Sequence, residues 1–159
     1  MKGAVARELK RKTPFSSPEQ AILVGLGLAA ARTTESLARF LKTADLTPNQ
    51  YNVLRILRGS HPHRLACSEI GERMINRDPD ITRLVDRLER RGLVERVRSR
   101  KDRRVVEVGI SARGLEVLRN LDAPVQRMPK ALLGHLGAAR LRQLADLLDA
   151  VIGDMGTFA

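Results

Sequence analysis

Arg83 and Arg87 stand four residues apart, so a helix would project both from one side. A guanidinium there can bridge the two major-groove acceptors of a guanine. Asp80 could accept from cytosine N4, and Thr82 suits a thymine methyl or a phosphate. A little downstream, Arg98, Arg100, Lys101, Arg103 and Arg104 crowd into one short stretch suited to phosphates and a narrow minor groove. The chemistry on offer is recognition of duplex nucleic acid.

Other chemistries find less material. His61, His63 and Cys67 include ligand types, but only three of them, beside a proline; a surface loop is the default reading and no metal is expected. Cys67 falls at a helix start, where a thiol pKa can be lowered, which would suit redox sensing. It is the only cysteine, so no internal disulfide forms. No Ser-His-Asp set, phosphate-cradling glycine loop or adequate metal cluster is legible, and His135 does not join the other two histidines; neither an enzyme nor a cofactor is expected. Phe15, Phe40, Tyr51 and Phe158 lie far from the basic stretch in sequence, leaving no stacking platform for single strands or RNA.

The charge distribution supports a contact face. Of 159 residues, 29 are Lys or Arg and 18 Asp or Glu, a net charge of +11. Residues 1–13 hold five basic and one acidic residue, and residues 73–104 hold twelve and six, while the remainder is close to neutral. Concentrated positive charge points to a polyanionic partner, here double-stranded DNA. Residues 1–12 are charged without an apolar core, and the apolar run 21–31 is broken by two glycines and too short for a bilayer. A cytoplasmic chain without a membrane partner is expected.

The elements that must position these residues are legible from caps and periodicity. Ser17-Pro18-Glu19-Gln20 and Thr47-Pro48-Asn49-Gln50 each read as a helix start, opening a long helix to about Lys42 and a shorter one to about Gly59. Residues 60–64 read as a loop before a third short helix from Cys67 to about Met74. Asp78-Pro79 predicts the start of a helix over 79–91, with Ile81, Leu84, Val85 and Leu88 inward and Gly92 as its stop. Leu93 to Arg98 and Arg104 to Ile110 then alternate like strands, predicting a hairpin with a charged tip. Ser111 caps a further helix reaching about Leu133 despite Pro124 and Pro129, and a last helix spans about 138–152. Two helices followed by a basic hairpin form the order of a winged helix-turn-helix, whose second helix enters the major groove. The fold class is mainly α with a small β-hairpin wing. Asp86, Glu89 and Glu95 read as partners of nearby arginines.

The stretch 69–114 resembles the core of MarR-type transcription regulators, most specifically in ITRLVDRLERRGLVER and in Asp102-Arg103-Arg104, which matches an Asp-x-Arg wing signature. Ile110-Ser111 and Gly114 continue the pattern, and LTPNQYNVLRIL (46–57) resembles the family's second helix. The resemblance implies a homodimer joined through segments 17–45 and 111–159 and a DNA-binding region over 46–110; residues 1–16, outside it, read from their composition as a basic, flexible tail. It implies that Asp102 orients the wing and Arg104 enters the minor groove. It also implies a pocket for small aromatic or anionic effectors, for which Arg39, Phe40, Tyr51 and Arg55 are the candidates. Ala66 stands where the family often has a capping Thr; Ser68 nearby is the expected substitute and is counted among the DNA contacts. Pro79 and Asp80 replace the small hydroxyl residues that commonly open the recognition helix, so the operator preference does not carry over. The expectation is a sequence-specific repressor on a pseudo-palindrome, the alternative a non-specific architectural DNA-binding protein.

Overall fold

The computed structural model describes residues 3–76, 80–99 and 105–154. Arg100, Lys101, Asp102, Arg103 and Arg104, with Asp78 and Pro79, lie outside the described residues. The chain forms two compact units, residues 1–118 and 119–159.

The first unit opens with α1 (Ala4–Glu8) and α2 (Pro18–Leu41), which a 3-10 turn (Lys42–Ala44) extends. Within the basic tail, residues 4–8 are helical. Val5 packs against α2 beside Gly25, Glu8 pairs with Arg32, and these contacts give residues 4–8 a surface on which to coil. Helix α2 starts where its cap predicts, with Ser17 Oγ accepting from the Gln20 N–H at 3.2 Å. It also ends where expected, at Leu41. Helix runs on through the glycines, and by length and composition alone the stretch Pro18–Ala44 could cross a bilayer.

Helix α3 (Pro48–Ser60) carries a full capping box, with Thr47 and Gln50 satisfying each other's backbone N–H groups at 3.2 and 2.9 Å. Then comes a short strand between the expected loop and helix, not foreseen from the sequence, β1 (Leu65–Ala66), followed by α4 (Cys67–Arg73). Ala66 has no capping side chain. Glu69 supplies only the return half of a capping box, its carboxylate accepting from the Ala66 N–H at 2.8 Å, and Ser68 is exposed.

Helix α5 spans Ile81–Arg90 and its cap is Asp80, not the expected Asp78: Asp80 Oδ1 accepts from the Arg83 N–H at 3.2 Å. Its far end closes in two bonds, Gly92 N–H to the Glu89 carbonyl at 2.7 Å and Leu93 N–H to the Leu88 carbonyl at 3.0 Å. Gly92 has φ +67°, a left-handed conformation that glycine adopts without steric cost. Strands β2 (Val94–Arg98) and β3 (Val106–Ile110) form the predicted ribbon, and β1 pairs with β3 on its other side through Leu65↔Val108 and Ala66↔Glu107. Leu54, Leu57, Ile70, Val85, Leu88, Leu93 and Val108 are fully buried, and each removes apolar surface worth about 1.5–3 kcal/mol from water. The alternation puts Val106, Val108 and Ile110 on one face, but Val106 is exposed near the ribbon tip while the other two are buried.

Helix α6 (Ala112–Leu133) begins in this unit. Ser111 Oγ accepts from the Gly114 N–H at 3.0 Å and donates to the Gly92 carbonyl at 2.6 Å, so one hydroxyl caps α6 and fastens the turn after α5. Ser111→Ala is expected to lower unfolding free energy by about 1–2 kcal/mol in urea titrations at unchanged m-value. The second unit holds the rest of α6, a 3-10 turn (Gly134–Leu136) and α7 (Gly137–Gly153). Pro124 and Pro129 interrupt the hydrogen-bond ladder of α6 without ending the helix.

Candidate nucleic-acid interface

The periodicity of α5 sorts its residues onto three sides. Leu84, Val85 and Leu88 face the core. Arg83, Arg87 and Arg90 recur at four- and three-residue intervals, forming an exposed basic stripe. Asp86 and Glu89 face the ribbon, where Arg96 on β2 meets both carboxylates and the Thr82 backbone carbonyl. Arg96 Nη2 lies 2.5 Å from Asp86 Oδ1 and donates to the Thr82 carbonyl at 3.1 Å; its Nε lies 3.6 Å from Glu89 Oε2. The Arg96 side chain is 23% exposed, so these charges meet in a partly desolvated setting.

This arrangement has two effects. It ties the wing to the recognition helix, and it holds the two carboxylates of α5 on the ribbon side, away from the basic stripe. Asp86 and Glu89 are thus the arginine partners the sequence suggests, whereas Glu95 makes no ion pair among the described residues. Asp80 serves first as a cap. Its second oxygen lies 3.1 Å from Arg83 Nε, so the same carboxylate starts the helix and steadies the outermost arginine.

Arg98 closes β2 opposite Val106, at the root of the wing tip, and is exposed. Ser68 is exposed on the first turn of α4. Ser68, Thr82, Arg83, Arg87 and Arg98 therefore all present side chains to solvent within one compact unit.

Two contributors escaped the sequence reading. Arg90 is the next member of the Arg83–Arg87 series and the helical repeat alone would have found it. Arg96 was unreadable, since its role depends on strand β2 lying beside α5.

Cys67 is half-buried, and burial pushes its thiol up, with Arg96 lowering and Asp86 raising it more weakly. The lowered pKa expected at a helix start is corrected: desolvation outweighs the nearby cation. Among the described residues no three metal-ligating side chains come together. Of the proposed effector residues, Tyr51 is buried and its hydroxyl accepts from Arg55 Nη1 at 3.1 Å, with the guanidinium 5.9 Å from the ring centre. Arg39 is exposed and Phe40 half-buried near the end of α2.

Comparison with known proteins follows the same outline. A family model described as the MarR family matches residues 46–106. A crystal structure of a MarR transcription factor from Planctomyces limnophilus is 39% identical, covering 86% of this chain and 99% of that one, with a TM-score of 0.66. The PcaV transcriptional regulator from Streptomyces coelicolor, solved in complex with its natural ligand, is 30% identical over 82% of this chain and 93% of its own, with a TM-score of 0.67. The HTH-type transcriptional repressor IacR of Pseudomonas putida is 29% identical over 79% of this chain and 74% of its own.

Proposed function

Because the chain belongs to the MarR family of winged-helix transcription regulators, we propose that it acts as a homodimeric repressor reading a pseudo-palindromic operator in cytoplasmic DNA. The observation that carries this reading is the division of charge on α5. Arg83, Arg87 and Arg90 stand outward while Arg96 retains Asp86 and Glu89. In this reading α5 enters the major groove, where Arg83 and Arg87 address base edges. Asp80 caps and orients rather than reading cytosine. Ser68, Thr82 and Arg98 take phosphates, and the tip residues Arg100, Lys101, Arg103 and Arg104, oriented by Asp102, extend the grip to the minor groove.

Dimerisation is supported by apolar surface that each unit leaves uncovered by itself. On α2, Ile22 and Leu23 are 58% and 69% exposed, and on α7, Leu147 and Ile152 are 58% and 71% exposed. A second copy would cover such surface. The same need explains how a helix apolar enough for a bilayer serves a DNA-binding chain. Ligand response is supported by the neighbour solved with its natural ligand, and the reading assigns Arg39, Phe40, Tyr51 and Arg55 to a small aromatic or anionic effector.

Selection of bound duplexes from a random pool is expected to enrich two half-sites with centres one helical turn, about 10 bp, apart. Arg87→Ala should then cost about 1–3 kcal/mol on the enriched duplex and relax preference at one position. Arg104→Ala should weaken enriched and scrambled duplexes alike. No enrichment, with equal affinity for all duplexes at fixed salt, would replace this reading with non-specific architectural binding.

A further inference from the structure

Beside the stripe, the end of α2, the start of α3 and the last turn of α5 enclose an open cleft of about 630 Å³, within the size range of small-ligand sites. Four cations line it, Lys42, Arg87, Arg90 and Arg91, against a single carboxylate, Asp45. That carboxylate is already engaged. Arg91 lies 3.5 Å from Asp45 Oδ2 and donates to the Ala44 carbonyl at 3.1 Å and to the Asp45 carbonyl. Lys42, Arg87 and Arg90 have no acidic partner within 4 Å among the described residues. Leu46 and Pro48 supply an apolar wall.

The helix start of α3 also borders the cleft, but it does not define the ligand. Pro48 has no N–H, and the N–H groups of Thr47 and Gln50 are spent on each other's side chains. Recognition must come from the guanidinium and ammonium groups, whose combined charge exceeds what one carboxylate would neutralise. Guanidinium forks match tetrahedral oxyanions; at neutral pH a phosphomonoester carries close to two charges and a backbone phosphodiester one.

We propose that this cleft is a phosphate-binding site, separate from Arg39, Phe40, Tyr51 and Arg55, none of which lines it. Its phosphate comes either from the DNA backbone beside the recognition helix or from a small phosphorylated compound. Arg87 and Arg90 belong to both cleft and stripe, so a free phosphate compound bound here competes with DNA for the same charges.

The test uses the full chain and inorganic pyrophosphate, followed by calorimetry at low salt. Lys42→Gln combined with Arg90→Gln is expected to weaken pyrophosphate binding about tenfold or more. Arg140→Gln combined with Arg142→Gln removes the same charge from exposed positions of the other unit and should leave binding unchanged. Thermal melts establish that both double variants fold. In parallel, the salt dependence of duplex binding identifies the source. If the cleft holds a backbone phosphate, Lys42→Gln lowers the slope of log K against log salt by about one. If it serves a free compound, that slope holds while pyrophosphate binding falls. Equal weakening in both double variants overturns the proposal, as does absent pyrophosphate binding with an unchanged salt slope. Only the duplex arm rests on the DNA-binding reading, so failure to bind any duplex leaves the calorimetric result to decide the site.

Discussion

Gly114→Ala should destabilise the first unit by about 3 kcal/mol or more, which places it among the most damaging single substitutions available. A Cβ at this position would fall 2.2 Å from the Leu93 carbonyl oxygen and 2.8 Å from Ile110 Cγ1. The first obstacle is backbone and cannot rotate away. The Leu93 carbonyl also accepts from the Ser111 N–H at 3.1 Å, and Gly114 itself donates to Ser111 Oγ. A shift that relieved the clash would therefore strain the seam where the ribbon ends and α6 begins. Urea unfolding is the measurement; a loss below about 1 kcal/mol would mean that the seam yields more easily than its packing indicates.

Arg96→Met should cost about 2–3 kcal/mol of stability and weaken duplex binding although Arg83 and Arg87 remain in place. Methionine retains the aliphatic volume but leaves Asp86 and Glu89 facing each other across a partly dehydrated space. The released carboxylates would then lie nearer the stripe that must meet phosphates. The same substitution on an Asp86→Asn, Glu89→Gln background should cost less, because the charges it strands are gone. Equal costs on both backgrounds would assign the effect to packing alone.

Much of the fold was legible because it is written in local chemistry. Ser17-Pro18, Thr47-Pro48-Gln50, Gly92 and Ser111 mark boundaries through bonds made within a few residues, and the structure places those boundaries as the spacing predicts. What was not legible depends on distant neighbours. Strand β1 has two residues, too few to show alternation, and it exists because Val108 and Glu107 lie beside it. Asp78 and Asp80 offer similar capping chemistry, and the sequence could not choose between them. Glu69 reaches back from the third helical position to the Ala66 N–H, a bond that attention to Ala66 alone obscures. Among the site residues, the regular spacing of Arg83 and Arg87 was visible, whereas the Arg96 hub needed the sheet.

Strand β1 has a further consequence for how copies of this chain meet. The sheet order β1-β3-β2 buries β3 between neighbours, leaving one margin of two residues and another bearing Glu95, Arg96 and Arg98. A short margin offers few free backbone groups, and a charged one repels the approach of an identical strand. Edge-to-edge polymerisation is thus discouraged at the ribbon.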